Sequence, residues 1–228
     1  MQKFLPQAVL LDFYGTVVEA DDRYIDRICR QISKASALNP TISEVGSYWS
    51  NLFSRMCTDS FGISFQPQKK LSQISLERTL QHFQVGLDSA ALNQILIDYW
   101  ANPTTFPESK AALSQCTIPI CLISNSDNRE LDSALQCNDI SFEWMVTSED
   151  CRAYKPRREM FDKALLLLGL EPSDVLHVGD SRGSDVKGAK SLGIPVLWVN
   201  RQNKPLSPAN MPDYSATDLT GLLDILQE

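Results

Sequence analysis

The feature that most restricts what this chain can fold into is the placement of its short apolar runs. AVLLDFYG, starting at Ala8, stands near the beginning, whereas IPICLIS (118–124), WMVTS (144–148), VLHVGD (175–180) and IPVLWVN (194–200) follow one another in the second half. Runs of this length, bounded by turn residues, read as buried strands. Helical spacing separates the later four. That alternation predicts a parallel sheet with helices on both faces, a Rossmann-like α/β core.

A different texture parts the first run from the rest. From Ala20 to about Trp100 the apolar residues recur at helical intervals: Tyr24, Ile28, Ile32; Trp49, Leu52, Phe53, Met56; Leu76, Leu80, Phe83; and Leu92, Ile95, Leu96, Tyr99. Pro40, Gly62, Pro67 and Gly86 punctuate this block. The expected organisation is a core of residues 1–18 and 101–228, with an all-helical cap domain, residues 19–100, inserted after the first strand. Later helix ends fit the same scheme. Asp127 with Glu130 resembles a capping pair, Pro156 suits a first helical turn, and helices are expected to stop near Gly169 and Gly193. No internal repeat interrupts it.

Composition narrows the partners. At 43% hydrophobic the chain can bury a real core. Its formal charge of −7 provides no basic field for nucleic acid or an anionic membrane, so neither is an expected partner. Six scattered cysteines, without C-x-x-C or metal-ligand spacing, suit buried thiols in a reducing compartment. The N-terminal stretch has no signal-peptide cleavage site and no run is long enough to span a bilayer, which predicts a soluble, cytoplasmic protein. No pattern in the sequence specifies an oligomeric state.

In open parallel sheets, ligands bind beyond the carboxyl ends of the strands. The expected strands hand over there to Asp12, to Ser124 with Asn125, to Lys155 beyond VTSED, and to Asp180 followed by Asp185. A hydroxyl, a lysine and a set of carboxylates in one cleft suit metal-assisted phosphoryl transfer. At this point the residues carry a family resemblance. LLDFYGT, LISNS, YKP and HVGDSRGSD stand in the order and spacing of the four motifs of the haloacid dehalogenase-like (HAD) hydrolases, which also insert a cap between the first and second motifs.

The resemblance implies a role for each residue. Asp12 looks like a nucleophile that forms an aspartyl-phosphate with a small phosphorylated substrate. Ser124, with the backbone N–H groups of Asn125 and Ser126, would receive phosphoryl oxygens, and Thr16, grouped with these phosphate-binding residues, closes the Asp12 loop with a hydroxyl that could hydrogen-bond Asp12 or a loop amide. Lys155 resembles the lysine that neutralises both nucleophile and phosphate. Asp12, Asp180, Asp185 and the backbone carbonyl of Tyr14 resemble the ligands of a Mg²⁺ ion. Electrostatics gives an independent reason for the ion, because two like charges 4 Å apart repel by about 4 kcal/mol at an effective dielectric of 20. Three carboxylates against one lysine therefore require protons or a divalent cation.

Tyr14 departs from the phosphatase pattern. HAD phosphatases usually place there a second aspartate that serves as general acid and base, whereas a phenol, with a pKa near 10, is a poor base at neutral pH. D-x-Y-G-T is instead similar to the 2-haloacid dehalogenases, which displace halide without a metal. Those enzymes lack an acidic residue at the place of Asp180 and have a tyrosine where this chain has Phe161. They also grip the substrate carboxylate with a cap arginine, for which Arg23, Arg27 and Arg30 are the candidates. Slow Mg²⁺-dependent phosphatase is the first expectation, metal-free dehalogenase the second, and a catalytically weak phosphate-binding or regulatory protein the third. His82 and His177 read as structural. The four tryptophans read as packing residues, with Trp49 or Tyr48 as possible cleft lining, and Arg201 of WVNR has no role assigned from sequence.

Overall fold

The computed structural model describes residues 4–206 and 211–227, so the ends of the expected 1–18 and 101–228 segments lie outside the described residues. Strand β1 (Ala8–Leu11) is followed by four helices, α1 (Asp22–Ala35), α2 (Ile42–Asp59), α3 (Gln68–His82) and α4 (Ser89–Ala101). The chain then runs through α5 (Ser109–Gln115), β2 (Ile120–Ser124), α6 (Asn128–Cys137), β3 (Trp144–Thr147), α7 (Ser148–Cys151) and α8 (Arg158–Leu168). It closes with β4 (Val175–Gly179), a π-turn (Arg182–Val186), α9 (Lys187–Ser191), β5 (Val196–Val199), β6 (Tyr214–Ala216) and α10 (Gly221–Gln227). Among the described residues no helix is long and apolar enough to cross a membrane.

The strands form one six-stranded sheet in the order β3-β2-β1-β4-β5-β6, parallel throughout. Successive side chains of a strand point to opposite faces. Val9 and Leu11 accordingly pack with Leu131 and Leu135 of α6 and Leu222 of α10. Ala8 and Leu10 pack on the other face with Met160 and Phe161 of α8 and Ala189 of α9. Helices cover both faces, which is why the central strands read as unbroken apolar runs. β1 lies at the centre of the sheet, beside β2 and β4, so the residue that follows it stands between the ends of its two neighbours.

The helical block has a core of its own, with Ile28 and Ile32 of α1, Trp49 of α2, Leu76 and Leu80 of α3, and Leu96 and Trp100 of α4. It is joined to the sheet by two adjacent segments, where the Glu19 amide donates to Thr104 O and the Phe106 amide to Val17 O. It is also gripped at its far side. The Tyr154 hydroxyl donates to Gln66 O, and Arg152 exchanges hydrogen bonds with Gly62.

Three local expectations need correction. Asp127 does not cap its own helix α6; its two carboxylate oxygens accept from the amides of Gln68 and Lys69 and so cap α3 of the helical block. Pro156 lies ahead of the N-cap Arg157 rather than in the first turn of α8. The edge strand β6 was not expected, because Tyr-Ser-Ala is half exposed and offers no apolar run. Gly169 ends α8 in the left-handed conformation at φ 66°, as its sequence position implies.

Candidate active site

The ends of β1, β2 and β4, with the loop after α7, bring Asp12, Ser124, Asn125, Lys155, Asp180 and Asp185 onto one cavity of about 340 Å³. Lys155 is the organiser. Its Nζ donates to Asp12 Oδ1 at 2.6 Å, to Asp185 Oδ1 at 2.7 Å and to Ile123 O at 2.9 Å, so all three of its protons are engaged. Asn125 fixes the backbone that carries it, accepting from the Lys155 amide and donating to the Lys155 carbonyl. Burial pulls the lysine pKa down, but the Asp12 and Asp185 carboxylates more than offset this and hold the ammonium above its ordinary value.

Asp12 is oriented from both sides, because Thr16 Oγ1 donates to its second oxygen at 3.0 Å. Thr16 is fully buried and does not line the cavity, so it stands behind the nucleophile candidate rather than beside a phosphate. Burial raises the Asp12 pKa, with Lys155 pulling against it. For Asp185 burial acts upward, yet Lys155 and His177 outweigh it and hold this carboxyl well below the usual range. His177 Nε2 lies 3.1 Å from Asp185 Oδ1, so this histidine, read from sequence as structural, supports a site residue.

Asp180 and Asp185 reach the cavity through tight backbone approaches. Gly15 has φ 89°, and a Cβ built on it would fall 2.5 Å from Asp180 Oδ2. A Cβ on Gly179 would fall 2.4 Å from the Asp185 carboxyl carbon. Either glycine, given a side chain, would push a carboxylate out of the cluster. The π-turn after Ser181 returns Asp185 toward the sheet, where its Oδ2 accepts from the Ser181 amide at 3.0 Å. Trp198 Nε1 donates to the Asp180 carbonyl at 2.8 Å.

One oxygen each from Asp12, Asp180 and Asp185 can be chosen so that all lie within 4.8 Å of one another. Burial and the neighbouring charges of Asp12 and Asp185 raise the Asp180 pKa well above its ordinary value. The cluster thus favours a proton or a cation among its oxygens. An all-oxygen set of this size fits a hard divalent cation, and Mg²⁺ completes its shell with few protein groups.

Tyr14 lines the cavity, with its hydroxyl committed to the helical block. Its hydroxyl donates to the Trp100 carbonyl at 2.5 Å, and burial, reinforced by Glu130, pushes its pKa far up. Arg23 lies over the rings of Tyr24 and Tyr99, Arg30 is paired with Asp26, and Arg27 is exposed. Among the described residues no arginine lines the cavity with Asp12.

Sequence reasoning missed the helical side of the cavity, formed by Asp21, Ile25, Phe53, Gln68 and Trp100. It also left Arg201 without a task. That guanidinium donates to the carbonyls of Gly15 and Thr16, pairs with Glu108 at 2.7 Å and lies 3.4 Å over the Phe106 ring. It ties the loop after Asp12 to the second segment leading into the helical block. WVNR was the available signal, but its partners lie far away in sequence.

Fold, motif order and the carboxylate cluster together define a HAD-type hydrolase scaffold. The family model for haloacid dehalogenase-like hydrolases matches residues 6–193, and the chain belongs to that family. It is similar to an (S)-2-haloacid dehalogenase from Pseudomonas fluorescens, 23% identical over 209 residues and 86% of each chain. It is also similar to the N-acylneuraminate-9-phosphatase of Rattus norvegicus, 26% identical over 163 residues, 66% of this chain and 65% of the relative. Among solved structures, L-2-haloacid dehalogenase RSc1362 superposes with a TM-score of 0.81 at 19% identity, covering 98% of this chain and 100% of that one.

Proposed function

We propose that this chain is a Mg²⁺-dependent phosphohydrolase acting on a small phosphorylated metabolite, with Asp12 as nucleophile. The observation that carries the reading is the charge imbalance around the cavity: three carboxylates within 4.8 Å of one another and one lysine already shared by two of them. Asp12, Asp180, the Tyr14 carbonyl and, directly or through water, Asp185 would hold the ion. When bound, it supplies positive charge against the phosphoryl oxygens.

In this reading an Asp12 oxygen attacks phosphorus and the bond to the leaving alcohol breaks, leaving an aspartyl-phosphate. Water then attacks that phosphorus, releasing inorganic phosphate and the Asp12 carboxylate. Thr16 and Lys155 orient the nucleophile through one hydrogen bond to each oxygen. Ser124 and the amides of Asn125 and Ser126 receive the phosphoryl oxygens. With the Tyr14 proton given to Trp100, the acid and base help worth about 10² to 10⁴ in rate is missing, so good leaving groups react fastest.

A second reading, a metal-free 2-haloacid dehalogenase, is favoured by Tyr14 and by the Pseudomonas relative. Against it, a haloacid brings another carboxylate into a cavity that no arginine lines among the described residues. The deciding experiment is product release with Mg²⁺ or with EDTA. Phosphate from p-nitrophenyl phosphate or acetyl phosphate, abolished by EDTA, is the expected result. Chloride from 2-chloropropionate, released in EDTA by the wild type and by Asp180→Asn, would replace this reading with the second.

A further inference from the structure

A second, smaller cavity of about 120 Å³ adjoins the first inside the helical block. The two share Asp21, Ile25, Phe53 and Trp100, so the smaller one is an annex of the site over Asp12. Trp49 and Leu96 line the annex alone and are 5% and 2% exposed. Ile25 and Phe53, common to both spaces, are only half buried, as suits residues at a mouth.

Most polar groups of this lining are already engaged. Trp49 Nε1 donates to Ser75 Oγ at 2.9 Å, Ser72 Oγ to Asn93 Oδ1 at 2.6 Å, and Ser50 Oγ to Ser47 O at 3.3 Å. Asp21 Oδ2 accepts from Trp100 Nε1 at 2.9 Å. A polar guest would forfeit its hydration and find few free partners, whereas an apolar guest has no hydrogen bonds of its own to lose. Apolar cavities of roughly 150 Å³ stay dry and accept a benzene ring, so the annex is near the size of one compact apolar group. Among the described residues Lys155 is the one cationic side chain lining the adjoining cavity.

We propose that the annex receives a compact apolar portion of the substrate's leaving alcohol, a single ring or a branched alkyl group, so that the substrate class is a phosphate monoester of an apolar alcohol. This rests on the phosphohydrolase reading above. The test compares benzyl phosphate with ethyl phosphate, whose alcohols are similar leaving groups, on the full chain with Mg²⁺. Benzyl phosphate should be preferred in kcat/KM by about 10- to 100-fold, mostly through KM. Leu96→Phe, which fills the annex, should erase the preference. Phe53→Ala, which widens the mouth, should admit 2-naphthylmethyl phosphate and decides the matter if the first variant does not fold.

Binding of benzyl alcohol, followed by titration calorimetry on the wild type and both variants, separates this inference from the reading it rests on. EDTA-sensitive hydrolysis with equal rates for the two esters would overturn the annex and leave the phosphohydrolase intact. Benzyl alcohol bound by the wild type and not by Leu96→Phe, with neither these esters nor p-nitrophenyl phosphate hydrolysed, would uphold the annex and overturn the phosphohydrolase. No preference and no binding would overturn the annex outright.

Discussion

At the strand ends the cavity is walled by groups that hold one another in place: Lys155 between Asp12 and Asp185, Thr16 behind Asp12, His177 behind Asp185, and Trp198 on the Asp180 carbonyl. Across from them the helical block presents Ile25, Phe53 and Trp100, with Gln68 at the first position of α3. The first wall is a network of directional bonds, and small displacements of its members change which oxygen faces the reacting atom. The second wall is defined mainly by shape: Ile25 and Phe53 are apolar, and Trp100 is held by its bond to Asp21. On the proposed reading, chemistry is a property of the sheet and discrimination among substrates a property of the helical block.

The comparison breaks first at Asp12. Asp12→Asn keeps the shape and the Lys155 contact but removes the nucleophile, and should lower kcat by about 10⁴ or more, read as phosphate release with folding followed by circular dichroism. A comparable loss from a helical-side change such as Phe53→Ala, without a rise in KM, would contradict the division of labour.

Lys155→Met attacks the same wall through stability. It strands Asp12 and Asp185 as buried carboxylates, and breaking a buried pair in this way costs about 3 to 5 kcal/mol. Urea unfolding at pH 7 measures it. The pH dependence has a definite sign. Asp185 is held below its ordinary 3.8 in the folded protein by Lys155 and His177, against burial, so its stabilisation is present above that value and is lost as pH falls through the folded value. The gap between wild type and variant should narrow on acidification below about pH 4. A gap that widened would show that the lysine is not the partner of these carboxylates.

Tyr14→Asp sharpens the contrast. It exchanges the phenol that donates to Trp100 for a shorter side chain that ends in a carboxyl close to its own backbone, and should raise hydrolysis of alkyl phosphates by about 10² to 10⁴ at neutral pH. The gain should be smaller for p-nitrophenyl phosphate, whose leaving group needs little proton help. Loss of both activities would mean that the Tyr14 bond to Trp100 is needed to position the helical block.

Much of this was legible in the sequence because it is local. β1, β2, β3, β4 and β5 announce themselves as apolar runs, and every candidate side chain except Lys155, which follows α7, stands at a strand end or within six residues of it, so topology gathers most of them. What was not legible depends on partners far apart in the chain. Arg201 meets Gly15 and Thr16, and Tyr14 meets Trp100, across separations that no periodicity encodes. Asp127 shows the same limit more sharply. A capping residue three positions before a glutamate, at the start of a helix, has the local signature of a box, yet tertiary structure offered its oxygens a different pair of amides.

That displaced cap provides the smallest of the expected effects and the one that probes how the two walls are joined. Asp127 is 2% exposed and belongs to the core, while the helix it caps carries Gln68 into the cavity. Asp127→Ala should cost about 1 kcal/mol in urea unfolding, the usual price of a lost cap, and Asp127→Asn less because one acceptor oxygen remains. Since α3 is then held to the core less firmly, KM should rise several-fold with kcat little changed. A stability loss without any change in KM would show that the linkers and the Tyr154 contact to Gln66 suffice to seat the helical wall, and that Asp127 contributes to the fold alone.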